Sequence, residues 1–188
     1  MRSSWYEPLD EGIGMDAMKR ARELGFDAVS QVTADMVPCK KELRELCDPK
    51  ECIHYGTCWS CPPGAGAFEE CVARIKSAKN GIVVQTKRDG VDFSDAERLE
   101  QISAMHNERL DRLADDLREA HGFALGFSTG GCDLCTSCTY PDAPCAKPVQ
   151  QRLALSAHGV DVVELCERAD MEYGFQNGTI RFIGLVLY

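Results

Sequence analysis

Residues 123–148, FALGFSTGGCDLCTSCTYPDAPCAKP, decide how this chain is to be read. The opening FALGFS reads as a short strand, apolar and rich in aromatic residues. It delivers the chain straight into Cys132-x2-Cys135-x2-Cys138-x6-Cys145, with Pro148 close behind. A thiol at every third residue sets soft ligands around one small volume, a spacing for which a hydrophobic core has no use. Two glycines and three prolines between Gly130 and Pro148 make the segment a rigid loop wrapped around something. Metal or cluster binding is the first expectation.

The spacing discriminates between metals. C-x2-C-x2-C with a later cysteine is close to the ferredoxin-type run that ligates a 4Fe-4S cluster, whose local turn lets backbone N–H groups point at sulfur. Zinc usually takes C-x2-C pairs separated by a longer gap, so three evenly spaced thiols suit it less well. Iron–sulfur is therefore preferred and zinc kept as the alternative. The six-residue gap before Cys145 departs from the bacterial ferredoxin pattern, which leaves room for Cys145 to ligate something else.

A second group lies upstream at Cys47-x4-Cys52-x5-Cys58-x2-Cys61, followed by Pro62-Pro63. Four thiols suffice for a closed site. Tyr55 and Trp59 would shield a centre from water, although packing alone explains them equally well. His54 reads as a loop hydrogen-bonding residue before it reads as a ligand. Cys58-x2-Cys61 also has the form of a redox-active thiol pair, but prolines follow where a helix N-terminus would be expected. Outside both groups, Cys71 and Cys166 fall on apolar helical faces and read as small buried hydrophobes, and Cys39 as a free thiol.

Between these groups the chain alternates strands and helices. A helix is expected from about Gly14 to Leu24, on Met15, Met18 and Leu24, followed by a strand over 26–33 and one or two helical turns at 40–46. Pro62-Pro63-Gly64-Ala65-Gly66 then breaks the chain, and the Gly64-Ala65-Gly66 run before a helix gives a weak anion-binding signal. Phe68, Cys71, Val72 and Ile75 set a helix from Ala67, with Asn80-Gly81 as its stop, and 82–86 reads as a buried strand. Ser94 and Glu97 form a capping box for a long helix carrying Leu99, Ile102, Met105, Leu110, Leu113 and Leu117 on one face, ended by His121-Gly122. Residues 149–157 and 160–168 read as helices broken at Gly159. Residues 179–188, TIRFIGLVLY, are apolar enough for a central strand. The expected architecture is one α/β domain over 1–188: a small mixed or partly parallel sheet covered by helices, with cysteine-rich metal-binding loops at about 39–66 and 130–148.

The bulk composition limits the partners. A net charge of −9 over 188 residues argues against a nucleic-acid-binding surface, which needs clustered cations. No apolar run approaches the length needed to span a bilayer. With eleven cysteines, an odd count, and no basic-then-apolar leader at 1–11, a reducing cytoplasmic compartment is expected over an exported disulfide framework.

Cys47-x4-Cys52, Tyr55-Gly56, Cys61-Pro62-Pro63, the Cys132–Cys145 run, the AHGVDV segment at 157–162 and the apolar C-terminal strand together resemble a family of uncharacterised, predicted metal-binding proteins of bacteria and archaea. The likeness spans about Cys47 to Tyr188. It implies metal binding but no reaction. It also implies that the first group rests on Cys47, Cys52 and Cys61, Cys58 standing where other members carry another residue. Three thiolates would leave a coordination position open, as a catalytic centre requires. His158 stands where some members have cysteine and is a remote ligand candidate, more simply a helix-terminal histidine.

Three functions compete. The first is a soluble iron–sulfur protein passing single electrons, with Cys132, Cys135, Cys138 and Cys145 holding one cluster and the first group a second, serving a redox partner protein or a small-molecule substrate. The second is a zinc-stabilised structural or interaction module. The third is a metal-dependent enzyme with an open site near Cys61. No nucleophile–histidine pair or paired-carboxylate motif marks a catalytic residue.

Overall fold

The computed structural model describes residues 16–174 and 178–188. Gly14 and Met15, the expected start of the first helix, and the stretch 1–11 lie outside these residues. The elements in chain order are α1 (Ala17–Glu23), β1 (Ala28–Thr33), α2 (Lys41–Glu45), α3 (Phe68–Lys76), β2 (Asn80–Arg88), α4 (Ala96–His121), β3 (Leu125–Ser128), β4 (Leu153–Ala154), α5 (Val162–Arg168) and β5 (Ile180–Leu187). Short 3-10 turns occupy Ala34–Met36 and Ser156–His158.

The strands form one five-stranded sheet in the order β1-β2-β5-β3-β4. Three pairings are antiparallel, and only β3 and β4 run parallel. The sheet is mixed, as expected. The C-terminal strand is central, with Leu185 opposite Val83 on one side and Phe127 on the other.

Side chains alternate across the strands, so each strand feeds two cores. Ile82, Val84 and Val186 pack with Ala17 and Ala21 of α1 and Leu110, Leu113 and Leu117 of α4. Val83, Ile183, Leu185 and Leu187 face the opposite way, against Ile75 of α3 and Leu165 and Cys166 of α5. Because β5 is covered on both faces, it needs apolar residues at nearly every position. Cys71 and Cys166 are fully buried, as their helical faces suggested.

Three local expectations are overturned. Asn80-Gly81 does not stop α3, which closes at Ser77; both residues belong to β2. Gly81 is small for another reason, since a Cβ there would come 2.6 Å from Leu187 Cδ2. The cap of α4 is Asp95, whose carboxylate accepts the Arg98 N–H, while Ser94 is held by Asp92. Residues 149–157 are not a helix. Leu153 and Ala154 pair with Phe127 and Ser128 as β4, since their apolar run completes the sheet edge. Gly122, in left-handed conformation, ends α4 as expected. Among the described residues no helix is long and apolar enough to cross a membrane.

Gly159 fixes the entry to the first cysteine loop. Its φ is +66°, and a Cβ would meet the Lys40 carbonyl oxygen at 2.5 Å. Lys40 N–H donates to the Gly159 carbonyl at 2.7 Å. Gly159→Ala is expected to cost about 2–3 kcal/mol, from left-handed strain plus overpacking. Gly130→Ala, with nothing within 4 Å of its Cβ, should cost under about 0.5 kcal/mol. Urea unfolding compares the two, and equal costs would contradict the assignment.

Candidate metal centre

Among the described residues the two cysteine-rich stretches are the longest without regular structure. Residues 46–67 and 129–152 contain turns and bends but neither helix nor strand. The second is the crossover between parallel strands β3 and β4, a connection usually made by a helix. Irregular loops this long are uncommon inside compact domains unless they serve a site.

The loops dock on each other through the segment between Cys58 and Cys61. The Ser60 hydroxyl, fully buried, accepts the Cys132 N–H at 2.8 Å. Trp59 Nε1–H donates to the Ala143 carbonyl at 3.1 Å, and its ring meets Tyr140 edge-on at 4.9 Å. Gly64 lies beneath that aromatic pair, where a Cβ would be 3.0 Å from Tyr140 Cε2. Lys147 Nζ ties the second loop to itself by donating to the Leu134 carbonyl.

A cleft of about 540 Å³ opens between the loops and α4. Cys58, Cys132, Cys135, Cys138 and Cys145 all line it, with Trp59, His54 and Lys147, and with Glu100, Ser103 and Asn107 from α4. Four of these thiols are the second sequence group, and Cys58 joins them from the first. Cys47, Cys52 and Cys61 do not line it. Cys61 Sγ lies with Cys58 Sγ against Gly131, and Cys52 is near enough to Cys61 to oppose its ionisation. Cys47 follows α2 and is half-buried. Among the described residues no three Cys, His, Asp or Glu side chains stand in an arrangement that could hold a metal ion.

The chemistry of the donor set nonetheless suits a thiophilic metal or cluster. Cys132 Sγ receives the backbone N–H groups of Leu134 and Arg152; burial pushes this thiol up and those donors pull it back. Cys58 Sγ receives a hydrogen bond from Cys61 first, then from Ser60 and the Cys132 N–H, which together hold it well below the usual thiol range. The same pairing, with burial, pushes Cys61 up. Amide donors aimed at sulfur are what a thiolate-ligated cluster uses to spread its negative charge.

An ion network centred on one buried guanidinium anchors the second loop. Arg152, with 1% of its side chain exposed, reaches Asp111 of α4 at 2.5 Å and also Asp133, the residue between Cys132 and Leu134. Burial lifts the Asp111 carboxyl to about 6 despite the pull of Arg152. Asn107, on the same helix, accepts the Ser128 hydroxyl at 2.7 Å at the end of β3. Ser60, Arg152 and Asp111 carried no sequence signal, because their importance lies in partners tens of residues away. His106 and Asn107, polar residues within the buried face of α4, were a signal that could have been read.

His158 is not available as a ligand. Its Nδ1 pairs with the Ala154 carbonyl and its Nε2 with Arg74 Nη1, both at 2.9 Å, and burial lowers it to about 4. The anion-binding signal at Gly64-Ala65-Gly66 also fails, because Glu70 Oε2 already accepts the Ala67 N–H at 2.7 Å and fills the space over Gly66. Cys39 is bridged to Val160 through its backbone, away from the cleft.

Residues 30–188 match the model of a family described as Predicted metal-binding protein (DUF2284). No curated protein and no solved structure matches the chain.

Asp111 gives the site a pH signature. A carboxyl whose folded pKa lies above its unfolded value adds stability that is complete below about 4 and lost as pH rises through about 6. The loss is up to about 3 kcal/mol. Over pH 4 to 7 the buried His106 and His158, both lowered to about 4, tilt urea-measured stability upward, and Asp111→Asn should steepen that rise by removing the opposing Asp111 loss. Equal slopes would contradict the assignment.

Proposed function

This chain belongs to the family of predicted metal-binding proteins whose model it matches, and we propose that it is an iron–sulfur protein of electron transfer or redox chemistry. Cys132, Cys135, Cys138 and Cys145 hold the cluster. The observation that carries this reading is that all four thiols of the ferredoxin-like run open on one cleft. The volume of that cleft lies within the range of small-molecule and cofactor sites. A bound cluster would supply single-electron chemistry, over a range of roughly −700 to +450 mV in proteins generally.

The protein's own residues then have distinct roles. Trp59 lies across the cleft wall and limits water at the site, the condition that tunes a cluster's potential. Ser60 holds the Cys132 amide in place, and Arg152 anchors Asp133 inside the run. The first group, Cys47, Cys52, Cys58 and Cys61, is not required for this cluster, and only Cys58 of it reaches the same cleft. The zinc-stabilised module is the competing function, favoured by the length of irregular chain that a metal would have to order.

Protein purified without oxygen should be brown and contain iron and acid-labile sulfide. Cys132→Ser and Cys135→Ser should each lose most of the iron, while Cys166→Ser keeps it. Colourless protein with stoichiometric zinc after anoxic preparation would overturn the cluster and support the zinc module.

A further inference from the structure

Once the second run is assigned to a cluster, as proposed above, Cys58 at the cleft and its neighbour Cys61 are left without a role. The chain between them closes in a tight turn, Cys61 N–H donating to the Cys58 carbonyl at 3.2 Å. Such a turn brings its end Cα atoms within about 7 Å, close to the span a disulfide bridges. The sulfurs converge: a Cβ added at Gly131 would lie 3.4 Å from Cys58 Sγ and 3.3 Å from Cys61 Sγ.

The two thiols differ in access. Cys58 forms part of the cleft wall, whereas Cys61 does not. Both residues are otherwise enclosed, at 5% and 6% exposure. The Ser60 hydroxyl lies 3.3 Å from Cys58 Sγ and is placed to hydrogen-bond that sulfur. A small reagent entering the cleft therefore meets Cys58, with Cys61 beside it against Gly131. The prolines that follow, which spoke against a thiol pair in the sequence, do not prevent this convergence.

We propose that Cys58 and Cys61 form a thiol–disulfide exchange site that reduces small disulfides entering the cleft. The Cys58 sulfur attacks one sulfur of a dialkyl disulfide, whose S–S bond breaks as a mixed disulfide forms. The departing thiolate takes the proton that Cys58 gives up. The Cys61 sulfur then attacks the Cys58 sulfur, the mixed disulfide breaks, and the second thiolate leaves with the proton of Cys61. Two protein thiols become one disulfide, and one substrate disulfide becomes two thiols. A dithiol reductant restores the pair by the reverse exchange.

The test uses full-length, metal-containing protein and hydroxyethyl disulfide, a small neutral probe, with peptide mass and metal content read on the same samples. Wild type should yield a Cys58–Cys61 disulfide, two hydrogens lighter than the dithiol. C61S should stop at a probe adduct on Cys58, and C58S should form neither product. Metal content should be the same in all three. An absent adduct in C61S would overturn the proposal, as would loss of metal from C58S or C61S, which would make these residues ligands. Protein lacking metal in every form would count only against the cluster, because the adduct is still read.

Discussion

The constraint on which the structure depends is that two long stretches, 46–67 and 129–152, keep a fixed shape without helix or strand. Fixing backbone costs about 1–2 kcal/mol per residue, and neither stretch offsets that cost with ladder hydrogen bonds. The links between the loops named above are few: the Cys132 amide on Ser60, the Trp59 indole on Ala143 and the Trp59–Tyr140 ring contact. A net contribution of about 1 kcal/mol per hydrogen bond leaves such links well short of the ordering cost. Bound metal would add to the favourable side, since at other small sites metal binding is also folding free energy.

The sheet is the rigid part against which this loop pair is set. Its central strand β5 is covered on both faces, and its neighbours β2 and β3 carry the helices. β3 ends at Ser128, four residues before Cys132, and β4 begins one residue after Arg152. The second cysteine loop is thus held at both ends by adjacent strands. Arg152 adds a third hold, from its buried guanidinium to Asp133 inside the loop and to Asp111 on α4. The first loop has a similar anchor at its entry, where Lys40 and Gly159 meet.

The sequence disclosed the layered fold wherever a residue's role was local. Alternation and β-branching placed β1, a short buried run placed β2, apolar periodicity placed α3 and α4, and Gly122 ended α4. It misled where tertiary pairing decided. Leu153 and Ala154 are a strand because Phe127 and Ser128 lie beside them, and no local pattern states that. Gly81 read as a helix stop, yet its size answers to the Leu187 side chain across the sheet. In the site, the spacing of Cys132, Cys135, Cys138 and Cys145 predicted one small shared volume; the four line one cleft, but among the described residues no three such side chains are set to hold a metal ion. That Cys58 would face the cleft, and Cys47 would not, depends on how the first loop folds back through Ser60 and Trp59. Such docking leaves no trace in spacing.

Alkylation footprinting of the metal-loaded, anaerobically prepared protein addresses the central claim most directly. Cys132, Cys135, Cys138 and Cys145 are each partly exposed, so as free thiols they would react as readily as Cys39. The account predicts that these four resist alkylation until a chelator removes the metal, while Cys39 is labelled throughout. Labelling of all four at the rate of Cys39 before chelation would contradict it.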